Sequence, residues 1–174
     1  MKTIGITGGI GAGKSTVLAY LEEKYNAFVI QADEVGHIVM APGQECYQPV
    51  IDLFGKDVIK NDKTIDRKQV SDVVFGNELM RQSLDAIIHP AVKTYILEEI
   101  RKQRQAGCRL LVIEAALLLE EKYDAFCDQV WYVHTDQETR IERLMSSRGY
   151  TREKALSIIK RQASEAFFRQ NTDY

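Results

Sequence analysis

The sequence has few cysteines and no spacing that would organise them. Cys46, Cys108 and Cys127 are odd in number and form no CxxC pair, so we expect neither a disulfide framework nor a zinc site, and a reducing compartment fits best. No apolar run is long enough to cross a bilayer. The start MKTIGITGG shows no charged leader or cleavage site. Together these absences predict a cytoplasmic protein.

The chain also lacks an excess of charge of one sign. Its 23 Lys and Arg residues nearly balance 25 Asp and Glu residues, for a net charge of -2. We therefore expect no nucleic-acid or membrane partner, and any phosphate-binding surface must be built locally. Repeats and low-complexity tracts are absent too, and 174 residues with 45% hydrophobic content suit one compact domain, with or without a small inserted subdomain.

Four short apolar segments predict strands, and helical patterns separate them. The predicted strands are residues 3–7, 27–31, 110–113 and 130–134. Alternation of strands with helices indicates an α/β fold with a mostly parallel sheet. The interval between the second and third strands contains no convincing strand. Its helical patterns, Arg67–Val74, 79–88 and 93–104 with a break at His89-Pro90, predict a helical substrate-binding lobe.

The segment ITGGIGAGKST follows the first strand and opens a helix. It contains Gly8-x-x-x-x-Gly13-Lys14-Ser15, the spacing of a phosphate-binding loop. Backbone amides and the helix start face the anion, Lys14 can reach the β- and γ-phosphates, and Ser15 offers an oxygen to Mg²⁺. The alternative is a glycine-rich turn that binds nothing, but the complete motif in this context favours nucleotide binding. The residues expected around the phosphates of the nucleotide are Gly9, Gly11, Ala12, Gly13, Lys14, Ser15 and Thr16.

Three other residues are candidates for the acceptor side. Asp33 follows the second strand, and ligands bind beyond the carboxyl ends of parallel strands, so we expect it to face the same cleft as the loop. It could accept a proton from a hydroxyl, order Mg²⁺ through water, or cap the following helix. Glu114, near the end of the third strand, could order Mg²⁺ and water. His89 could bind an anionic or hydroxyl-bearing acceptor or cap a helix end.

An arginine-rich region follows the last predicted strand. Residues 137–147 and 152–166 predict two helices hinged at Gly149, and they carry Arg140, Arg143, Arg148, Arg152 and Arg161. Such residues are commonly a solvated helix face or pair with neighbouring glutamates. Phosphoryl transfer, however, needs positive charge over the transferred phosphate. We expect at least one of these arginines to enter the site.

Together these features resemble the dephospho-CoA kinase family, whose members use ATP to phosphorylate the ribose 3′-hydroxyl of dephospho-CoA. The resemblance runs nearly the whole length of the chain. It rests on TGGIGAGKST, Asp33, LFGKDVI…IDR, VF (Val74-Phe75), IIHPAV, ALLLE and ERLMSSRGYTREKALSIIKRQ, in which Gln162 matches a lid glutamine of the family.

The resemblance implies a P-loop NTPase of three α/β/α layers with a parallel sheet, a helical acceptor-binding lobe and a helical lid. The implied bounds are 1–33 and 108–136 for the core, 34–107 for the lobe and 137–166 for the lid. A last strand and an adenine-contacting loop would follow Tyr174. ATP and Mg²⁺ would be required, the only partners would be small-molecule substrates, and we expect a monomer.

The resemblance also implies roles for individual residues. Asp33 would be the base toward the 3′-hydroxyl. With it, the implied catalytic residues are Lys14, Arg140 and Arg143. The implied acceptor-binding residues are Asp33, Arg67, His89, Pro90 and Glu114. Metal binding would involve Ser15, with Asp33 or Glu114 acting through water.

Two other functions stay open. A related nucleoside or nucleotide kinase would share the loop, the base and the lid, although the series from Asp66-Arg67 to His89-Pro90 favours dephospho-CoA. A nucleotide-dependent regulatory switch would carry a guanine-reading NKxD element, and the sequence contains none. That alternative also leaves the arginine-rich helices unexplained.

Overall fold

The structure is a computed structural model that describes residues 1–174, and it divides into two compact units. The core unit comprises residues 1–31 and 101–174, and the helical unit comprises residues 32–100. In chain order the helices are α1 Lys14–Tyr25, α2 Ala32–Val39, α3 Tyr47–Phe54, α4 Arg67–Val74, α5 Glu78–Gln105, α6 Gln137–Arg148, α7 Arg152–Lys160 and α8 Glu165–Asn171. None combines the length and the apolar character that a membrane crossing requires.

Four parallel strands form the sheet of the core unit. They are β1 Lys2–Thr7, β2 Phe28–Gln31, β3 Leu110–Glu114 and β4 Gln129–Tyr132, in the order β2-β3-β1-β4. The all-parallel pairing confirms the predicted α/β class. Central β1 is buried because it is covered by apolar side chains of α1, among them Leu18 and Leu21, which join Ile4 and Ile6 in one cluster. This packing holds the carboxyl end of β1 at the start of the glycine-rich loop.

The outer edge of β4 is hydrogen-bonded to the last residues of the chain. The Tyr132 amide donates to the Tyr174 carbonyl oxygen at 2.7 Å, and the Asp173 amide donates to the Val130 carbonyl oxygen at 2.9 Å. The Asp173 carboxylate in turn accepts from the Val130 amide at 2.8 Å. Residues 173–174 therefore lie along β4 in a parallel register.

The helical unit contains no strand, as predicted, and only an isolated bridge joins Ile59 to Ile65. Helix α4 has the predicted bounds. Its start is set by Asp66, whose side chain accepts from the amides of Lys68 and Gln69 at 3.0 and 3.2 Å. Such a cap satisfies helix-end donors that would otherwise lack a partner.

Helix α5 runs through Pro90 without interruption, so the predicted break at His89-Pro90 is wrong. Proline removes one helical N–H and crowds the carbonyl four residues earlier, here that of Ala86, at a cost of about 3 kcal/mol. The helix persists because the following turns bury Ala91, Val92, Ile96 and Ile100. Burying a large aliphatic side chain contributes about 1.5–3 kcal/mol, so this packing outweighs the local defect.

The predicted helix over residues 152–166 is also wrong in one respect, because two helices occupy that segment. Helix α7 ends at Lys160, and α8 begins after Ser164, whose side chain accepts from the Phe167 amide. The change of direction lets Phe168 stack on Tyr132 with ring centroids 4.7 Å apart. The predicted hinge at Gly149 is confirmed, since this residue ends α6 with φ 63°.

Replacing Pro90 with alanine tests whether the proline is a tolerated defect. We expect Pro90→Ala to raise the free energy of unfolding by about 1–3 kcal/mol, because alanine restores the missing N–H. Pro49→Ala is the matched control, since Pro49 lies in the first turn of α3, where N–H groups have no partner within the helix. Urea denaturation would measure both variants. An unchanged or lower midpoint for Pro90→Ala would contradict this account.

Candidate active site

The loop between β1 and α1 has a backbone that only glycine adopts easily. Gly8 has φ 145° and Gly13, the residue before α1, has φ 102°. A Cβ on Gly8 would lie 2.5 Å from the Val133 carbonyl oxygen. Neither position tolerates a side chain, so the glycines of the motif bring the loop backbone against Val133, the residue after β4, and onto the start of α1. This is the arrangement that points amides at an anion.

Lys14 and Glu114, both predicted site residues, contact each other at the carboxyl end of the sheet. The Lys14 ammonium donates to the Gly8 carbonyl oxygen at 2.9 Å and lies 3.4 Å from a Glu114 carboxylate oxygen. Their side chains are only 15% and 12% exposed. Glu114 therefore balances the Lys14 charge within a shielded environment, where charges interact more strongly than in water.

Arg140 and Arg143 both reach the loop from α6. Arg143 Nη1 donates to the carbonyl oxygens of Gly11 and Ala12 at 3.1 and 3.2 Å. Arg140 Nε donates to the Ile10 carbonyl oxygen at 2.8 Å, and burial lowers the pKa of its guanidinium. Both guanidinium groups therefore contact the loop, although only Arg140 is half-buried and Arg143 stays exposed. By contrast, Arg152 forms an exposed pair with Glu138 at 2.7 Å, a type of contact that contributes little stability.

Ile10 is the point at which helices α6 and α7 hold the loop. The Gln162 Oε1 accepts from the Ile10 amide at 3.0 Å and from Arg140 Nη2 at 2.6 Å. The Ile10 side chain packs against a buried cluster of Ile141, Leu144, Ala155 and Ile159. Sequence reasoning missed Ile10, although an apolar residue within a glycine-rich loop was the available signal.

A cavity of about 490 Å³ opens beside the loop within the core unit. Its lining includes Gly9, Tyr132, His134, Arg140, Gln162 and Phe168. Thr135, which also lines it, donates its hydroxyl to the Ala12 carbonyl oxygen at 2.7 Å. The volume of this cavity and its mixture of polar and apolar side chains suit a small-molecule ligand. Nothing in the sequence pattern singled out Thr135 or this cavity.

The remaining acceptor candidates lie in the helical unit. Asp33 is exposed in the first turn of α2, and its carboxylate makes no hydrogen bond, so the capping alternative fails. Arg67 is the first residue of α4 and is exposed. His89 lies inside α5, 3.7 Å from Asp85, so it does not cap a helix end. Pro90 is exposed on the same helix. The chain contains no group of three His, Cys, Asp or Glu side chains that could hold a metal.

Comparison with known sequences identifies a family. A family model described as dephospho-CoA kinase matches residues 2–174. The dephospho-CoA kinase of Carboxydothermus hydrogenoformans is 38% identical over 159 residues, covering 91% of this chain and 77% of that protein. The enzyme of the same name from Geobacillus kaustophilus is 38% identical over 157 residues, covering 90% and 78%.

Solved structures agree on the fold. A Thermus thermophilus protein superposes with a TM-score of 0.82 at 27% identity, covering 98% of this chain and 85% of that one. The dephospho-CoA kinase of Campylobacter jejuni superposes with a TM-score of 0.65 at 23% identity, covering 98% of this chain and 93% of that one. A shikimate kinase from Bacteroides thetaiotaomicron superposes with a TM-score of 0.51 at 16% identity, covering 99% of this chain and 83% of that one. The last two likenesses show the fold alone, that of phosphate-loop kinases.

Removing the Gln162 amide tests the attachment of the loop to the segment that follows α7. We expect Gln162→Leu to weaken Mg·ATP binding about tenfold. The Ile10 amide and Arg140 would lose their acceptor, a loss of about 1–3 kcal/mol, and 1.4 kcal/mol corresponds to a factor of ten. Gln170→Leu, an exposed change in α8, is the matched control. Calorimetric titration would measure both variants. Wild-type affinity in a folded Gln162→Leu protein would show that the loop holds its shape without this contact.

Proposed function

We infer the function from one premise: the chain belongs to the dephospho-CoA kinase family. It catalyses the ATP-dependent phosphorylation of dephospho-CoA in coenzyme A biosynthesis. We propose that the hydroxyl phosphorylated is the ribose 3′-hydroxyl, so that the products are CoA and ADP. The observation that carries this proposal is the family match over residues 2–174, joined to a phosphate loop that two arginines contact.

On the donor side, the loop and its cations would stabilise the transferred phosphoryl group. Three positive side chains, Lys14, Arg140 and Arg143, converge on the loop backbone. Phosphoryl transfer depends mainly on positioning and on charge placed where negative charge develops. In this proposal Lys14 binds the β- and γ-phosphates, and the two arginines place their positive charge over the transferred phosphate while they keep their contacts with the loop. Backbone amides that make no hydrogen bond within the loop, those of Gly11, Gly13, Lys14 and Ser15, would complete the cradle.

The oxygen donors near the loop fit Mg²⁺. The Ser15 side chain is exposed in the first turn of α1 and makes no hydrogen bond within the chain. Magnesium keeps several waters and takes one or two protein oxygens besides substrate phosphates, so a hydroxyl and a neighbouring carboxylate suffice. When bound, the ion neutralises phosphate charge. Ser15 would be the direct ligand, with Glu114 or Asp33 orienting bound water.

On the acceptor side, Asp33 would accept the proton of the 3′-hydroxyl. Its carboxylate is exposed, unpaired and located in the first turn of the helix that follows β2. These features leave it available for proton transfer, which typically contributes 10²–10⁴-fold to the rate. Arg67, His89 and Pro90 would bind other parts of the acceptor. We further propose a monomer in the cytoplasm, a location with which the three free cysteines agree.

An acceptor panel tests the proposed reaction. The protein would be incubated with Mg·ATP and, in parallel, dephospho-CoA, AMP, adenosine or phosphopantetheine. We expect CoA to form from dephospho-CoA at the highest kcat/KM, measured by product chromatography. Preferential phosphorylation of another acceptor would favour a related nucleoside or nucleotide kinase. ATP hydrolysis without any phosphorylated acceptor would favour a regulatory switch.

Asparagine at position 33 tests the general base. We expect Asp33→Asn to lower kcat by about 10²–10⁴-fold and to leave ATP binding intact, because the amide keeps the shape but cannot take the proton. Asp72→Asn, an exposed carboxylate on α4, is the control. Steady-state kinetics and ATP titration would be compared for both. Near-normal turnover of Asp33→Asn would reduce Asp33 to a positioning group.

A further inference from the structure

Arg143 is held in place by one of its three guanidinium nitrogens. Its Nη1 donates to the carbonyl oxygens of Gly11 and Ala12 and lies 3.5 Å from the Thr135 hydroxyl oxygen. Its Nε and Nη2 form no hydrogen bond or ion pair within the chain. Because the guanidinium is planar and rigid, the partners of Nη1 limit the directions in which the two free nitrogens can point.

Thr135 is the one side chain among the partners of this nitrogen. It lies in the connection between β4 and α6, directly before Asp136, the residue that caps α6. Its hydroxyl reaches the Ala12 carbonyl oxygen at 2.7 Å and the His134 carbonyl oxygen at 2.8 Å. A hydroxyl has one proton and two lone pairs. Since the proton is directed at a carbonyl oxygen, a lone pair is left to accept from Arg143.

The Ala12 carbonyl oxygen connects the two side chains. It accepts from Thr135 Oγ1 at 2.7 Å and from Arg143 Nη1 at 3.2 Å. Ala12 is buried, which reduces competition from water for this oxygen. A Cβ on Gly13 would lie 3.3 Å from Arg143 Nη1, so the anchored nitrogen lies against the loop directly before Lys14. Thr135, the loop and Arg143 therefore contact one another at the place where the loop enters α1.

Arg140 is bound to the chain in a different way. Its Nε donates to the Ile10 carbonyl oxygen and its Nη2 to Gln162, and a Cβ on Gly9 would overlap its guanidinium. The Nε–Nη2 edge of Arg140 is therefore occupied by the protein. In Arg143 the same edge is free, and its two parallel N–H donors match the spacing of two phosphate oxygens. Of the two arginines, Arg143 is the one that can bind phosphate through both donors of this edge.

We propose that Thr135 is a positioning residue for phosphoryl transfer, whose hydroxyl holds Nη1 of Arg143 so that the Nε–Nη2 edge faces the transferred phosphate. Donors that are already oriented toward developing negative charge stabilise the transition state without reorganisation. Thr135 touches neither substrate in this account and acts through Arg143. The inference rests on the proposed function, because it assumes that Arg143 acts on the transferred phosphate.

Removing the hydroxyl while keeping the shape of the side chain tests the inference. We expect Thr135→Val to lower kcat for CoA formation about tenfold, the loss typical of one hydrogen bond to a charged group. The KM for Mg·ATP should stay nearly unchanged, since an interaction made only in the transition state lowers kcat and kcat/KM together. Thr135→Ser keeps a hydroxyl and should retain the wild-type kcat. Thr172→Val is the matched control, because the Thr172 hydroxyl also donates to a carbonyl oxygen, that of Phe168 at 2.9 Å, and it should change neither constant.

A double-mutant cycle separates an effect through Arg143 from a general effect on the loop. We expect Arg143→Ala to lower kcat more than Thr135→Val does. In the Arg143→Ala background, Thr135→Val should cause no further loss, because residues that act through one contact are not additive. Single-turnover measurements with excess protein would supply the rates of the slow variants, and circular dichroism would confirm folding. If Thr135→Val does not fold, Thr135→Ala removes the same hydroxyl with the same expected pattern.

Several results would overturn the inference. Wild-type kcat of Thr135→Val would show that the hydroxyl is not needed, and a higher KM for Mg·ATP at unchanged kcat would reduce Thr135 to an anchor of the loop. An equal loss of kcat in the wild-type and Arg143→Ala backgrounds, or a slow Thr135→Ser variant, would contradict action through the Arg143 contact. Failure of the proposed function is distinguishable, because the wild-type protein would then make no CoA in the acceptor panel. A protein that makes CoA but shows any of these results contradicts this inference alone.

Discussion

The attachment of helices α6 and α7 to the backbone of the phosphate loop is the contact on which the rest of the donor side depends. Ile10 has its amide bound to Gln162, its carbonyl bound to Arg140 and its side chain packed on the buried α6–α7 cluster. A glycine-rich loop loses much conformational freedom when it orders. These contacts hold that backbone in one shape before any ligand arrives, which is the pre-organisation that phosphate binding requires.

The same contacts concentrate positive charge. Arginine donors satisfy loop carbonyls on one side, while Lys14 is held by Gly8 and Glu114 on the other. Each cation thus has acceptors within the chain: the Glu114 carboxylate for Lys14, and neutral carbonyl oxygens for the two arginines. Electrostatic stabilisation of this type needs little reorganisation during transfer, and it is the largest contribution in many enzymes.

The helical unit is organised differently from the donor side. Its helices bury apolar side chains such as Val70 and Val92, and two cavities of about 330 Å³ and 210 Å³ share four lining residues, His37, Met40, Ile65 and Arg67. Where packing and local preference disagree, packing prevails, as α5 shows by continuing through Pro90 over a buried apolar face. The proline that breaks the sequence pattern is therefore exposed on a continuous helix, and its relation to the acceptor stays a prediction.

The sequence by itself determined the features that depend on short-range pattern. Alternating apolar segments located the four strands of the sheet, and the spacing of Gly8, Gly13 and Lys14 located the loop, because strand burial and positive φ angles each leave a local signature. The role of Arg67 came only from family resemblance, whereas Asp33 was also a candidate because of its position after the second strand. Tertiary structure alone decided which arginines reach the loop. It also decided that Gln162 binds Ile10, 152 positions away in the sequence. It separated α8 from α7, so that Phe168 stacks on Tyr132. These contacts join residues far apart in the chain, and helical periodicity cannot distinguish an arginine that faces water from one that faces a carbonyl oxygen.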